Sequence, residues 1–166
     1  MLFALRNYQE SDAEIILGWI SDEKSFRQWS ADKYKSYPAS PEDMNAFYRE
    51  MKAQGGIPFV FTEDNKVVGH FIVRPITDED TVTYRLGFII VDSTVRGKGY
   101  GKAMLSFALE YAFSTLSAKR VTLGVFENNP NALRCYESVG FKQVGESYYS
   151  INGETWKCLE MECFNS

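Results

Sequence analysis

The segment Val91-Asp92-Ser93-Thr94-Val95-Arg96-Gly97-Lys98-Gly99-Tyr100-Gly101-Lys102 constrains the fold more than any other part of the chain. Before it runs Phe88-Ile89-Ile90-Val91, apolar throughout, as in a strand covered on both faces. After it comes a helical pattern from about Gly99 to Leu116. Lys102, Ser106, Glu110 and Ser114 mark its polar side, and Met104, Leu105, Ala108, Ala112 and Leu116 its apolar side. A strand, a glycine-rich turn and a helix in that order gather several backbone N–H groups at the positive end of a helix dipole. A phosphate or pyrophosphate is the natural guest of such a turn. Arg96, Lys98 and Lys102 add positive charge around it.

Spacing excludes two familiar phosphate motifs. A loop of the form G-x-x-x-x-G-K-[ST] would need glycine where Arg96 stands and a hydroxyl where Ala103 stands. A dinucleotide fingerprint, G-x-G-x-x-G, would need glycine where Lys102 stands. A ligand-free surface turn and a free nucleotide remain open alternatives at this point.

The rest of the chain frames this turn. Leu2 to Arg6 reads as a first strand, and Ser11 starts a helix with Ile15, Ile16, Trp19 and Ile20 on its apolar face. Asp22 to Ser40 is polar, aromatic-rich and expected to be irregular. Ser40 and Pro41 are cap and first turn of a helix ending near Ala53. Pro58–Thr62 and Lys66–Arg74 form a hairpin about Glu63-Asp64-Asn65, and Thr81–Val91 is a longer strand. Arg120–Phe126 is another strand, Asn129-Pro130 opens a short helix, and Gly140 stops it. Phe141–Tyr149 and Thr155–Cys163 flank Asn152-Gly153, a strong hairpin signal. The expectation is one α/β domain spanning 1–166, with mostly sequential hairpins and at least one helical crossover.

The turn resembles the pyrophosphate-binding loop of the GNAT acetyltransferases, Arg/Gln-x-x-Gly-x-Gly/Ala, which Arg96, Gly99 and Gly101 fill. That family's second signature, Asn-x-x-Ala-x-x-x-Tyr followed by Gly-Phe, is matched by Asn129, Ala132, Tyr136, Gly140 and Phe141. The two motifs together cover about residues 82 to 145, and the pattern is closest to the ribosomal-protein and polyamine acetyltransferase branch. The resemblance implies a mixed, mainly antiparallel sheet of about six to seven strands with helices on both faces. It implies a splay between the strand ending near Val91 and the one beginning near Arg120, with acetyl-CoA lying in the gap. Backbone amides from Gly97 to Lys102, including Lys98 and Tyr100, would cradle the pyrophosphate. The Ile89-Ile90-Val91 backbone would pair with the pantetheine arm and acetyl group, and Asn129, with Asn131 as a second candidate, would hydrogen-bond that arm. Asn129 is equally a helix N-cap.

By the same resemblance Tyr136 protonates the leaving thiolate. A phenol of pKa about 10 holds its proton at neutral pH and can deliver it to a thiolate of pKa about 8.5. The alternative for Tyr136 is a core position shared with Leu133. The reaction expected is direct attack of a primary amine, on a small molecule, a polyamine or a protein N-terminus. An amine of pKa near 10.4 is only about 0.04% neutral at pH 7, so a base would help. Many family members place a glutamate in the strand before the glycine turn or early in the next one. Tyr84-Arg85-Leu86-Gly87 and Leu123-Gly124-Val125 carry none. Glu127 and His70 are the remaining candidate bases. Tyr84 and Arg85 could shape the acceptor pocket, Arg85 as a partner for an acceptor carboxylate. Trp19, Phe26, Trp29, Tyr34 and Tyr37 are expected to form its wall. An acetyl-CoA-binding sensor with little catalysis is the second reading, supported by the missing glutamate.

Composition narrows the partners. The net charge of −4 leaves no basic face for nucleic acid. One histidine and three cysteines without C-x-x-C spacing make a metal site unexpected and suit free thiols in a reducing, cytoplasmic setting. No window is long and apolar enough for a membrane span, and the N-terminus lacks the pattern of a secretory signal. A homodimer is the base-rate expectation.

Overall fold

The computed structural model describes residues 1–77 and 79–165. One sheet of seven strands organises it: β1 (Phe3–Asn7), β2 (Ile57–Glu63), β3 (Lys66–Ile76), β4 (Thr83–Val91), β5 (Arg120–Phe126), β6 (Lys142–Ile151) and β7 (Glu154–Phe164), in the spatial order β1-β2-β3-β4-β5-β7-β6. Every neighbouring pair is antiparallel except β4 and β5, which run parallel. The parallel step needs a crossover, and α4 (Tyr100–Glu110) supplies it. The β2–β3 and β6–β7 hairpins turn on Asp64-Asn65 and Asn152-Gly153, each with positive φ at both central residues. That is the turn whose twist suits a two-residue hairpin.

The helices cover both faces. α1 (Asp12–Leu17) and α3 (Pro41–Ala53) pack Ala13, Ile16, Met44 and Tyr48 against Val60, Ile72 and Ile90. On the other face α4 packs Met104, Leu105, Ala108 and Leu109 against Phe61, Phe71, Leu86, Val121 and Leu123. α3 starts on a reciprocal cap. The Asp43 N–H donates to the Ser40 hydroxyl oxygen and the Ser40 N–H to the Asp43 carboxylate, both at 3.1 Å.

The structure departs from two expectations. The stretch after Asp22 is not wholly irregular, because α2 occupies Glu23–Ser30. Asp22 caps it, accepting from the Ser25 N–H at 2.7 Å. Buried Arg27 then ties down the next segment of chain by donating to the carbonyls of Tyr34 at 2.6 Å and Lys35 at 3.3 Å. The helix read to Leu116 is α-helical only to Glu110. A wider turn over Tyr111–Thr115 continues it, closed by the Leu116 N–H donating to the Tyr111 carbonyl at 3.1 Å. α5 (Pro130–Ser138) completes the helices.

Candidate active site

β4 and β5 stay together only where Thr83–Arg85 pair with Arg120–Thr122. Beyond that point β4 continues to Val91 and β5 to Phe126 without pairing, so the sheet opens into a V. A bulge in β4 accompanies the split. His70 pairs with Ile90 and Ile72 with Gly87, leaving Phe88 and Ile89 opposite Phe71 alone. Phe88 takes φ 51°, unusual for a bulky residue, and its carbonyl accepts from the Trp29 indole N–H at 2.9 Å. Trp29, Phe47 and Tyr48 surround the Phe88 ring, which holds the bulge in place.

The open V continues into a cleft of about 800 Å³. It brings together Ile89, Ile90 and Val91 from β4, Arg96, Gly97, Gly99, Tyr100, Gly101 and Lys102 from the turn and α4, and Asn129, Asn131 and Tyr136 from α5. Gly97 and Gly99 have φ of 78° and 84°, and a Cβ on either would meet nothing within 4 Å. Glycine is there for its backbone conformation, and the space beside it is open for a ligand. Gly99 caps α4, so the helix's first N–H groups have no side-chain partner at the cap. The turn can hold an anion through its backbone, with Arg96, Lys102 and Arg134 beside it on the cleft wall. Arg96 also donates to the Val91 carbonyl at 3.3 Å.

The remaining turn and α5 residues divide their roles. Tyr100 turns its hydroxyl away to Glu63 at 2.6 Å, and Lys98 is outside the cleft lining. The Asn129 side chain caps α5, accepting from the Ala132 N–H at 3.4 Å, while Asn131 is bonded to Arg134.

Tyr136 is both core and cleft residue. Its ring packs among Leu105, Val125 and Phe141, and it is 7% exposed. Burial, with Cys135 adding to it, pushes the phenol above its ordinary pKa. Among the described residues the hydroxyl has no hydrogen-bond partner, so its proton is free for a ligand in the cleft.

The two candidate bases do not join it. His70 is wholly buried in the α1–α3 side of the core and is absent from the cleft wall. Its Nδ1 lies 2.7 Å from the Phe59 carbonyl oxygen and its Nε2 2.7 Å from the Tyr48 hydroxyl. A carbonyl can only accept, so Nδ1 carries the proton and Nε2 accepts from Tyr48. Burial pulls the His70 pKa down to about 4. The residue is a neutral core bridge. Glu127 is exposed, lies outside the cleft wall and pairs with Lys157 at 3.6 Å.

The acceptor side also needs correction. Phe26 and Tyr34 are buried against each other, Trp19 is buried in the core, and of the expected aromatic wall Trp29 alone lines the cleft. Tyr84 packs toward the α4 side of the sheet. Arg85 is already paired with Glu160 at 3.0 Å. Sequence reading missed Ser25 and Gln28 of α2, Gly124 and Val125 of β5, and Arg134 and Cys135, all on the cleft wall. Asp22 three residues before Ser25, with Phe26 and Trp29 one turn apart, was the signal for α2.

The chain resembles known proteins in both sequence and shape. It is 37% identical over 119 residues to N-acetylaspartate synthetase of Danio rerio, covering 71% of this chain and 40% of that protein. It is 38% identical over 82 residues to spermine/spermidine N(1)-acetyltransferase of Bacillus subtilis, covering 48% of this chain and 53% of that one. The matches thus span about half or less of these relatives' lengths. The crystal structure of spermidine N-acetyltransferase from Vibrio cholerae in complex with CoA and spermine superposes with a TM-score of 0.81 at 22% identity, covering 98% of this chain and 95% of that one. The acetyltransferase (GNAT) family model matches residues 23–141, from α2 through the glycine turn to the end of the second motif. With the split sheet, the bulged β4 and the glycine turn all inside that span, the chain belongs to the GNAT acetyltransferase family.

Proposed function

We propose that the chain transfers the acetyl group of acetyl-CoA to a primary amine by direct attack within a ternary complex. One observation carries the reading: the backbone anion cradle of Gly97–Lys102 and the unpartnered Tyr136 hydroxyl open onto the same cleft at the V between β4 and β5. The coenzyme supplies an activated acyl carbon and a thiolate leaving group. The turn holds its pyrophosphate through N–H groups, and the free edges of β4 and β5 offer backbone partners to an extended pantetheine arm. Tyr136, kept protonated by burial, donates to the departing sulfur. No enzyme nucleophile is required. Cys135 lines the cleft, but burial raises its thiol pKa.

The relatives named above act on a polyamine or form N-acetylaspartate, acceptors that share a primary amine and little else, and this supports the amine as the acceptor class. The free Cys135, Cys158 and Cys163 accord with a reducing, cytoplasmic setting. The test is thermal unfolding with acetyl-CoA, CoA or ATP. At 100 times its dissociation constant a ligand stabilises the fold by about 2.7 kcal/mol. A shift with acetyl-CoA and CoA but not ATP is expected, followed by thiol release with an amine. No shift at saturating acetyl-CoA would overturn the reading.

A further inference from the structure

The charges on the cleft wall limit which amines suit it. Among the described residues the wall carries Arg96, Lys102 and Arg134 but no aspartate or glutamate. A polyamine bound here would lay its further ammonium groups along a surface with no anion to receive them.

The vertex of the V is positive as well. Val73, Leu86, Leu123 and Leu159 face α4, so alternation puts Arg74, Arg85, Gly124 and Glu160 on the opposite, α2 face of the sheet. Arg85 belongs to the last β4–β5 pair, with Thr122. Its Nη1 donates to Glu160 Oε1 at 3.0 Å and to Thr122 Oγ1 at 3.4 Å. Ser147 and Cys158 donate to the other Glu160 oxygen, at 3.0 and 3.4 Å, and hold that carboxylate in turn. Arg85 Nη2 lies 2.8 Å from where a Cβ on Gly124 would fall, and among the described residues it has no acceptor. Gly124 lines the cleft. The Glu160 pair therefore fixes the guanidinium through one nitrogen, and glycine at 124 makes room for the other at the cleft edge.

Arg74 stands directly opposite Arg85 in the β3–β4 register. Like charges so placed destabilise a sheet. Among the described residues the Arg74 guanidinium makes no hydrogen bond or ion pair, and desolvation, with Arg85 adding to it, lowers its pKa. The Tyr149 phenol is in electrostatic range of both arginines, and burial keeps it protonated as a further donor. Asp32, which also acts on Tyr149, is paired with Lys33 at 3.9 Å. Arg74, Arg85 and Glu160 together leave this patch with a net positive charge.

Resting on the acetyltransferase reading above, we propose that the acceptor is an amino acid, an amine with a carboxylate close to it: Arg85 Nη2 and Arg74 hold the carboxylate and so bring the amine to the mouth of the V. An anion between the two arginines turns their repulsion into attraction, and Nη2 has two N–H groups to give it. Gly124 lies two residues past the last β4–β5 pair, about 7 Å up the V, and Gly87 stands at the same height on β4 where the bulge begins. A carboxylate at Nη2 is thus level with the bulge, where few bonds separate it from an amine entering the V. Glu160 is a positioning residue that aims Arg85.

The probes are the protein amino acids, the carboxylate-free amide of the best of them, and spermidine, assayed by thiol release from acetyl-CoA. The best amino acid is expected to exceed its amide and spermidine in kcat/KM by about 10- to 100-fold, the worth of a hydrogen bond to a charged group. Arg85→Gln should raise the KM of that amino acid by about the same factor, change kcat/KM for the amide by less than about threefold, and keep the thermal shift with acetyl-CoA. Arg74→Glu replaces a like-charge pair by an opposite one, so the fold should hold, and it gives Arg85 an anion of its own. It should raise the amino acid's KM by about tenfold and carries the test if Arg85→Gln fails to fold. Spermidine turned over as well as every amino acid, no amino acid turned over at all, or variants that slow acid and amide alike would each overturn the proposal, while a retained acetyl-CoA shift leaves the coenzyme site standing. Absence of that shift in the parent would remove the acetyltransferase reading and this proposal together.

Discussion

The two sides of the V are built by different means. On the side of α4 and α5 the surface is mainly backbone: a turn with two left-handed glycines, the start of α4 and the edge of β4. Apart from α5, its parts lie within the one continuous stretch 89–102. On the side of α2 the surface is made of side chains brought from far apart. Trp29 reaches Phe88 across 59 positions, Arg85 reaches Glu160 across 75, and Gln28 reaches Asn128 across 100. Backbone recognition suits a ligand portion that never changes, because N–H groups cannot be substituted. Side-chain recognition can be rewritten one residue at a time, which suits an acceptor that differs between relatives. Proteins similar to this one include a spermine/spermidine N(1)-acetyltransferase and an N-acetylaspartate synthetase.

Breaking the backbone side should have the largest effect. Gly99→Asp forces a side chain onto φ 84° and sets a carboxylate in the anion cradle. The expected result is loss of the acetyl-CoA thermal shift together with turnover. A variant that keeps the shift would mean that the cradle holds no pyrophosphate.

Tyr136→Phe sharpens the comparison at the point where the two sides meet. The ring stays packed against Phe141 and only the hydroxyl is lost. The fold and the coenzyme shift should survive, while kcat falls by about 10²- to 10⁴-fold. Because burial holds the phenol above its ordinary pKa, ionisation of Tyr136 should not limit the parent's rate on the alkaline side below about pH 10. An unchanged kcat would return Tyr136 to a packing role.

The same contrast governs what could be read from the chain. Arg96, Gly99 and Gly101 form a contiguous pattern whose spacing already implies a strand, a turn and a helix N-terminus, and the cleft is found there. Asn129 and Tyr136 were legible for the same reason, since a cap and a residue two turns later share one short helix. The bulge at Phe88 was not legible, because an apolar run of four residues looks the same with or without one. α2 was overlooked because eight residues give only Phe26 and Trp29 as an apolar face, and buried Arg27 breaks the expected polarity. Glu160 could not be placed either. Its relation to Gly124 is fixed by the β5–β7 register, which neither strand's own sequence states.

His70, buried beneath α3, gives the smallest expected effect. Its folded pKa of about 4 lies below the ordinary 6.5, chiefly because burial disfavours the charged ring. Between pH 6.5 and 4 the unfolded chain therefore binds a proton that the folded chain refuses. Stability from this residue is complete above pH 6.5 and is lost as pH falls toward 4, by about 3 kcal/mol across the window. His70→Gln removes the titration and weakens the bridge between Phe59 and Tyr48 at every pH. Urea midpoints at pH 7, 5.5 and 4.5 should show the parent losing more stability on acidification than the variant, with carboxylate effects common to both. Equal acid sensitivity would mean that the ring is not held neutral in the core. That result would bring His70 back as a candidate proton carrier.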